Sequence, residues 1–378
     1  MTLFYKLKYM WYNGRYFQKI GVKMKKNKKM IFNFLFFIAL IVLTFYVLLK
    51  DQNIFDIFNL FLQSKKTYVM IAVFCMLIYL LLEGVNMQRT LNATGKNKVK
   101  LISTFKYSVI GFFFSAITPA ASGGQPMQIY YMHKDKVSVA NSTLALMMNL
   151  CCFQITTISM AIISVLFCSG YLQGGMVALF IVGIGLNSAA LALLLIGIFS
   201  TKLSNWLINV CIKILQKLKI KNANQKVEKL MGELNKYHGS SKYIKEHKSI
   251  MIKMLLTSLV QILIYYSIPY WIYRALGFNT ANIVLMIALQ SILYATVSGI
   301  PSPGAVGVSE GGFLNIFKTI FTAETVSGAM LLNRGVSFYL FVFVSGVVVM
   351  VNHLKTKKDS EGIEIADSNN EGRVGWFH

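Results

Sequence analysis

Residues 118–131 read TPAASGGQPMQIYY, and this stretch interrupts an apolar run of membrane-spanning length. A second interruption, IPSPGAVGVSEGGF, covers residues 300–313. Together the two stretches contain four of the five prolines of the chain. A broken helix leaves backbone N–H and C=O groups without partners, so inside a membrane it survives only when buried in protein or lining a wet cavity. Both stretches are therefore predicted to point into the protein.

Each broken stretch is also predicted to begin a new half-helix. In the first stretch Ser122 is the candidate cap, and Gly123 and Gly124 permit a tight turn. In the second stretch Ser309 is the candidate cap and Glu310 is the first-turn acid. Half-helix N-termini directed at the membrane midplane bind anionic groups through free N–H groups and the helix dipole. This pattern indicates a transport site for a polar or phosphate-bearing substrate; the alternative is that both stretches are kinks between packed helices.

The composition excludes a soluble globular protein. Of the 378 residues 55% are hydrophobic, and the mean hydropathy is +0.56, which is typical of a polytopic membrane protein. The net charge is +24, but the basic residues crowd beside apolar runs, so membrane topology and anionic lipid headgroups explain them better than nucleic acid does. The five cysteines form no CxxC pair, and no HExxH, GxSxG or Walker motif occurs, so neither a metal nor a cofactor is predicted.

The apolar runs predict an all-α polytopic membrane protein with six full spans and two re-entrant broken-helix hairpins. The predicted spans are 30–49, 68–88, 138–167, 176–199, 250–275 and 325–351, and the hairpins are 101–131 and 281–321. Basic flanks place both termini in the cytoplasm and make the first hairpin enter from the cytoplasmic face. The second hairpin has uncharged flanks and is predicted to enter from outside.

These elements divide the chain into a repeat. The predicted segments are a basic cytoplasmic N-terminal segment (1–29), a first membrane half (30–167), a fourth span (168–199), a basic cytoplasmic connection (200–249), a second membrane half (250–351) and a disordered tail (352–378). The hairpins occupy mirror-related places in the two halves, and such inverted repeats with broken helices are typical of secondary transporters. Within the connection, residues 203–218 predict an interfacial helix on anionic lipid. The alternative, an amphipathic helix packed on its own protein, suits residues 225–237 better.

The deepest ionisable side chains in the predicted spans are Glu83, Glu310 and Arg334, and such residues are functional unless they pair only for structure. Arg334 is predicted either to reach a lipid phosphate or to pair with Glu310, whereas Glu83 can also meet the inner interface. Gln125 and Gln128 are neutral and suit hydrogen bonds to a headgroup. The candidate substrate-binding residues are Ser122, Gly123, Gly124, Gln125, Gln128, Ser309, Glu310, Gly311 and Arg334.

At the motifs TPAASGGQPMQ and PSPGAVGVSEGG the chain resembles the lysylphosphatidylglycerol synthase/flippase membrane-domain family, the part of the multiple peptide resistance factor that moves aminoacylated lipid across the bilayer. The resemblance extends from Met30 to Val351. Members of that family more often carry an acid at the position of Gln125 and bases at those of Gln128 and Ser309, whereas Glu310 is retained. Fewer fixed charges therefore remain here to recognise a headgroup.

The resemblance and the broken helices together imply a stand-alone flippase of the bacterial cytoplasmic membrane that moves lysyl-phosphatidylglycerol or another phosphate-bearing phospholipid. Bifunctional members add a soluble domain that transfers an amino acid from aminoacyl-tRNA to phosphatidylglycerol, and the sequence shows no segment for one. The alternatives are the membrane part of a phosphatidylglycerol lysyltransferase and a non-transporting scaffold for a separate synthase. A homodimer is a further expectation from the family.

Overall fold

Uninterrupted apolar runs form the longest helices of the computed structural model. The structure describes residue 59 and residues 61–95, 97–118, 121–172, 174–202, 205, 206, 209, 223–299, 305 and 307–352, all of which belong to one compact unit, Asn53–His378. The helices are α1 (Lys66–Thr94), α2 (Leu101–Ile117), α3 (Gly124–Lys134), α4 (Val139–Cys168), α5 (Gly175–Phe199), α6 (Ala223–Glu246), α7 (Lys248–Tyr266), α8 (Ile268–Ala275), α9 (Ile283–Val297), α10 (Val308–Phe317) and α11 (Val326–Arg334). After Arg334 the last helix passes through a π-helical turn, Gly335–Tyr339, and continues to Asn352.

Five helical segments are long and apolar enough to cross a membrane: Lys66–Thr94, Val139–Tyr171, Gly175–Phe199, Lys248–Ala275 and Val326–Asn352. They coincide with five of the six predicted spans. The remaining span, 30–49, lies outside the described residues, as do the predicted segment 1–29 and residues 353–378 of the predicted tail. The described residues form helices and no strands, so the prediction of an all-α, multi-pass membrane protein is confirmed.

The span Lys248–Ala275 is interrupted at Ser267, just before Pro269. Helix α7 ends at Tyr266, Ser267 forms a turn, and α8 begins at Ile268 with Pro269 in its first turn. Proline is tolerated there because first-turn N–H groups have no partner within the helix. The resulting short α8 packs beside α1, and the Lys65 N–H donates to the Ala275 carbonyl at 2.9 Å.

Small residues bring two of the helices into backbone contact. A Cβ atom added at Gly183 of α5 would lie 2.2 Å from the Ala295 carbonyl oxygen of α9. Asn187, one turn later, donates through Nδ2 to the Gly183 carbonyl at 2.8 Å and to the Ser298 hydroxyl at 3.0 Å. Such close contacts replace the hydrophobic driving force that helices lack in lipid.

Each broken stretch lies within a helix–turn–helix hairpin. Helices α2 and α3 enclose the first stretch, and their distant ends meet where Lys106 Nζ lies 2.7 Å from Asp135 Oδ2. Helices α9 and α10 enclose the second, where a Cβ atom on Gly312 would lie 2.5 Å from Leu293 Cδ1. The start of α2 and the end of α3 therefore lie close together, and α3 continues to Lys134. Entry and exit of the first hairpin on one face of the membrane stays a prediction.

The helix of the basic connection packs on its own protein. In α6 the side chains of Leu234, Tyr237 and Ile244 are buried, and the Tyr237 hydroxyl donates to the Gly197 carbonyl at 2.8 Å. This confirms the amphipathic packing expected for residues 225–237. Most of the predicted interfacial helix, 203–218, lies outside the described residues. The cysteines Cys75, Cys151, Cys152 and Cys168 are buried, as expected for core residues, and Cys211 lies outside the described part of the chain.

Candidate functional site

The turns in the two broken stretches share an unusual backbone conformation. Ala121 has a φ of 55° and Ala305 a φ of 52°, in the left-handed region that a side chain disfavours. Each alanine lies two positions before a glycine that forms the N-cap of a half-helix, Gly123 of α3 and Gly307 of α10. Aligned on these alanines, the sequences read TPAASG from Thr118 and SPGAVG from Ser302. The two stretches therefore share the pattern [TS]-P-[AG]-A-x-G, which the sequence analysis missed.

The predicted caps of both half-helices are wrong. Gly123, not Ser122, is the N-cap of α3, and the Gly123 N–H donates to Thr118 Oγ1 at 2.9 Å. Ser122 precedes the N-cap by one residue, and the oxygen that accepts the N-cap N–H belongs to Thr118, just after α2. At α10 the N-cap is Gly307 rather than Ser309, since the Gly307 N–H donates to Glu310 Oε2 at 2.6 Å.

Glu310 connects the second broken stretch to the last span. Its Oε1 accepts from Arg334 Nε at 2.9 Å, and its Oε2 also accepts from the Ser309 hydroxyl at 3.1 Å. Both side chains are largely buried, with 8% of the Glu310 and 13% of the Arg334 side chain exposed. The Arg334 guanidinium lies 4.4 Å from the centre of the Phe338 ring. The structure thus contains the Glu310–Arg334 pair that the sequence leaves as one of two alternatives.

A cavity of about 260 Å³ lies where both broken stretches meet Arg334. The first stretch contributes Ala121, and the second contributes Ala305 and Ser309. The rest of the lining comes from α1, α2, α7, α9, α10 and the last span: Met76, Tyr79, Phe112, Ser115, Ala116, Tyr265, Gln290, Leu293, Tyr294, Val297, Ser298, Phe313, Asn333, Ser337 and Phe338. One cation thus faces a wall of aromatic and small polar side chains.

Two amides in the cavity wall have oxygens without hydrogen-bond donors. Gln290 is 8% exposed and Asn333 is 7% exposed, and neither Gln290 Oε1 nor Asn333 Oδ1 finds a partner among the described residues. Buried acceptors without donors are costly. Both oxygens have almost no accessible surface here, so a donating ligand would reach them only after their side chains turn towards the cavity. Neither residue was among the predicted site residues, although Gln290 is a lone amide in the apolar run of α9 and Asn333 adjoins Arg334.

Three tyrosines of the same wall form an aromatic cluster. The rings of Tyr79 and Tyr265 lie 4.8 Å apart, and those of Tyr265 and Tyr294 lie 6.1 Å apart. Tyrosine faces attract cations. Among the described residues no group of three or more His, Cys, Asp or Glu side chains is arranged to hold a metal ion.

A family model described as Lysylphosphatidylglycerol synthase TM region matches residues 31–345. The chain belongs to this family. No curated protein and no solved structure matches the chain. The region matched to the lysylphosphatidylglycerol synthase TM family contains both broken stretches, the cavity lining and Arg334.

The remaining predicted site residues of this family member are not among the residues that line the cavity. Ser122 is exposed and Gln125 is half-buried. Gly123 and Gly124 let the hairpin close, because a Cβ atom on Gly124 would lie 2.1 Å from Ser115 Oγ. Gly311 has open space where a Cβ atom would be. Gln128, predicted to bind a headgroup, is instead buried, and its amide donates to Glu83 Oε1 at 3.1 Å and to the Tyr107 carbonyl at 3.2 Å.

Proposed function

We propose that the chain is a lipid flippase that moves a phosphate-bearing phospholipid, such as lysyl-phosphatidylglycerol, across the bacterial cytoplasmic membrane. One observation carries the proposal: two turns with the same [TS]-P-[AG]-A-x-G pattern meet at one cavity that contains Arg334. Broken helices facing a shared cavity from two halves are the arrangement that secondary transporters use to bind a substrate at the middle of the membrane. The family name, which contains this lipid, supports the same substrate class.

The phosphate of the headgroup is assigned to Arg334. A guanidinium is planar, stays charged and binds phosphate oxygens through paired N–H groups. The ion pair with Glu310 orients this guanidinium at the cavity wall. The N-terminus of α10 is a poorer phosphate site than its position suggests, because the Glu310 carboxylate already accepts from the Gly307 N–H.

The ammonium end of the headgroup is assigned to the part of the cavity wall that contains the two amide oxygens without donors and the three tyrosines. An ammonium group would lie near the faces of Tyr79, Tyr265 and Tyr294. It would donate to Gln290 Oε1 and Asn333 Oδ1 after these buried amides turn towards the cavity. The cavity volume of about 260 Å³ is close to the lower limit of small-molecule pockets, roughly 300 Å³. It suits a headgroup whose acyl tails stay in the bilayer.

The second candidate function is the membrane part of a phosphatidylglycerol lysyltransferase, which the family description favours by naming a synthase. This function predicts that the purified chain transfers lysine from charged tRNA to phosphatidylglycerol. Absence of transfer in an assay where a complete synthase is active would exclude it.

The flippase proposal is tested in proteoliposomes by the accessibility of labelled headgroups. Phosphatidylglycerol, lysyl-phosphatidylglycerol and a neutral lipid are compared in the wild type, in Arg334→Gln/Glu310→Gln and in Arg274→Gln. The double variant removes both charges of the buried pair together, and Arg274 is an arginine outside the cavity lining. We expect one phosphate-bearing lipid to cross faster with the wild type and with Arg274→Gln only. Equal crossing of all lipids with and without wild-type protein would refute autonomous transport.

A further inference from the structure

Glu83 is a second acidic side chain within a membrane span, and its surroundings differ from those of Glu310. It lies on α1 one turn after Tyr79, which lines the cavity. Its Oε1 accepts a hydrogen bond from Gln128 Nε2 at 3.1 Å. Among the described residues no cation forms a salt bridge with Glu83, whereas Glu310 is paired with Arg334. Within the described part of the chain, the Glu83 carboxyl group is thus hydrogen-bonded to a neutral amide and has no charged partner.

The amide that faces Glu83 is held rigidly. Gln128 is 3% exposed, and its Nε2 also donates to the Tyr107 carbonyl at 3.2 Å. A Cβ atom on Gly111 would lie 2.3 Å from the same nitrogen, so glycine at this position leaves room for the amide. An amide N–H donates to a carboxylate and equally to the carbonyl oxygen of a protonated carboxyl group. The contact therefore accommodates Glu83 in either protonation state.

The helices packed around α1 supply no counter-ion for Glu83. Besides Tyr79 and Arg89 on α1 itself, the titratable or charged residues on these helices include Lys106, Tyr107, Cys151, Cys152, Lys253, Tyr265, Tyr266 and Arg274, and Tyr339 lies in the π-helical turn that packs against α1. None of these cations forms a salt bridge with Glu83. Lys106 pairs with Asp135, Arg89 donates to Asn86 Oδ1 at 2.9 Å, and Lys253 is exposed. Arg274 donates to the Tyr270 and Tyr68 hydroxyls, and Arg334, which precedes the π-helical turn, pairs with Glu310.

We propose that Glu83 is a proton-binding site that couples lipid movement to the proton gradient. The inference rests on the proposed flippase function. In each cycle the carboxylate takes a proton from hydronium on one side of the membrane, so that one hydronium O–H bond breaks as the carboxyl O–H bond forms. On the other side the carboxyl O–H bond breaks and the proton returns to water as hydronium. No electron is transferred. An ionised carboxylate without a cation is costly within a membrane, so the protonated form lets this part of α1 move through apolar surroundings. Glu83 is half-buried, so its carboxyl group is not completely enclosed by protein.

The first experiment measures protonation without requiring transport. Infrared spectra of the purified full-length protein in lipid are recorded from acid to alkaline pH for the wild type, Glu83→Gln and Glu324→Gln. Glu324 is an exposed acid that serves as the matched control. We expect a C=O stretching band of a neutral carboxyl group that persists at neutral pH in the wild type and in Glu324→Gln but is missing in Glu83→Gln. The same band in all three proteins would overturn the proposal.

The second experiment measures coupling in proteoliposomes. For one proton per lipid, a gradient of one pH unit shifts the steady-state distribution of the lipid about tenfold. We expect this tenfold shift for the wild type and for Glu324→Gln. For Glu83→Gln we expect lipid movement whose steady-state distribution does not change with the pH gradient. If the wild type moves lipid but ignores the gradient, the coupling is refuted and the flippase function stands. If the wild type moves no lipid, both the flippase function and its coupling are refuted.

Discussion

Arg334 Nε donates to Glu310 Oε1 over 2.9 Å, between residues 24 positions apart in the chain. This bond joins the last membrane span to the first turn of α10. The other oxygen of Glu310 accepts from the Gly307 N–H at 2.6 Å. One carboxylate therefore closes the turn of the second broken stretch and also holds the guanidinium at the cavity wall.

Removing the charge of Glu310 alone should destabilise the protein. Glu310→Gln leaves a largely buried Arg334 without its anion, and breaking a buried pair from one side costs about 3–5 kcal/mol. Thermal unfolding in detergent should show a lower Tm, together with loss of lipid movement. The double variant Glu310→Gln/Arg334→Gln should recover most of the stability but not the lipid movement. Wild-type transport by a folded double variant would show that the pair serves structure only.

Gly183→Ala should loosen the contact between α5 and α9. The added methyl group would lie 2.2 Å from a backbone oxygen of Ala295, which cannot turn away as a side chain would. We expect a loss of about 1–3 kcal/mol, the usual cost of overpacking, measured as a lower Tm. Gly185→Ala is the matched control on the same helix, since open space surrounds that position and helix propensity favours alanine by about 1 kcal/mol. A Tm that rises equally in both variants would contradict the close contact.

Replacing either left-handed alanine by glycine should stabilise the fold. Ala121 and Ala305 have φ values of 55° and 52°, and glycine relieves about 1 kcal/mol of steric cost at such positions. Ala121→Gly and Ala305→Gly should each raise the Tm by a similar amount, because the turns are equivalent. Ala329→Gly, a buried helical alanine, should lower it. A rise for only one of the two turns would argue against their equivalence.

The docking of α6 should weaken in acid. The Glu233 carboxylate accepts from the Ala140 N–H at 2.9 Å and from Lys236 at 2.7 Å. Burial by itself would raise the pKa of Glu233, but these hydrogen bonds outweigh it and lower the pKa below its ordinary value of 4.5. Because the folded pKa is depressed, the stabilisation is complete above pH 4.5 and is lost as the pH falls through the lower, folded pKa.

Hydrogen exchange of α6 measures this pH dependence. In the wild type, exchange in residues 223–246 should increase below pH 4.5 beyond the intrinsic change in rate. Glu233→Gln should show the faster exchange already at neutral pH. Glu228→Gln, an exposed acid on the same helix, should behave like the wild type. Identical exchange in all three proteins would refute the role of Glu233.

The predicted inverted repeat has a consequence for accessibility. Lys136 follows α3 and Thr319 follows α10, and both side chains are exposed. With hairpins that enter from opposite faces, Lys136→Cys should react with a membrane-impermeant thiol reagent only from the cytoplasmic side, and Thr319→Cys only from outside. The described native cysteines are buried, which keeps their background reaction low. Reaction of both variants from the same side would rule out the inverted arrangement.

The sequence by itself determined where helices run and where they break. Apolar runs of membrane length and the helix-breaking prolines and glycines are local properties, so the five described spans and the helix breaks in the two proline- and glycine-rich stretches follow from them. The first-turn position of Glu310 was predictable for the same reason. The family was also readable from the two short motifs.

Only the tertiary structure decided which side chains meet. Gln128 lies 45 positions from Glu83, and a carboxylate contact at that separation depends on how α1 packs against the hairpin. The predicted caps were wrong for a related reason. The N–H groups of Gly123 and Gly307 donate to Thr118 and Glu310, respectively. The serines predicted as caps, Ser122 and Ser309, do not accept these hydrogen bonds. Likewise, the lack of a donor at Gln290 Oε1 and at Asn333 Oδ1 can be recognised only once the positions of all neighbouring donors are known. Helix formation depends on neighbours along the chain, whereas hydrogen-bond partners in a membrane core depend on neighbours in space.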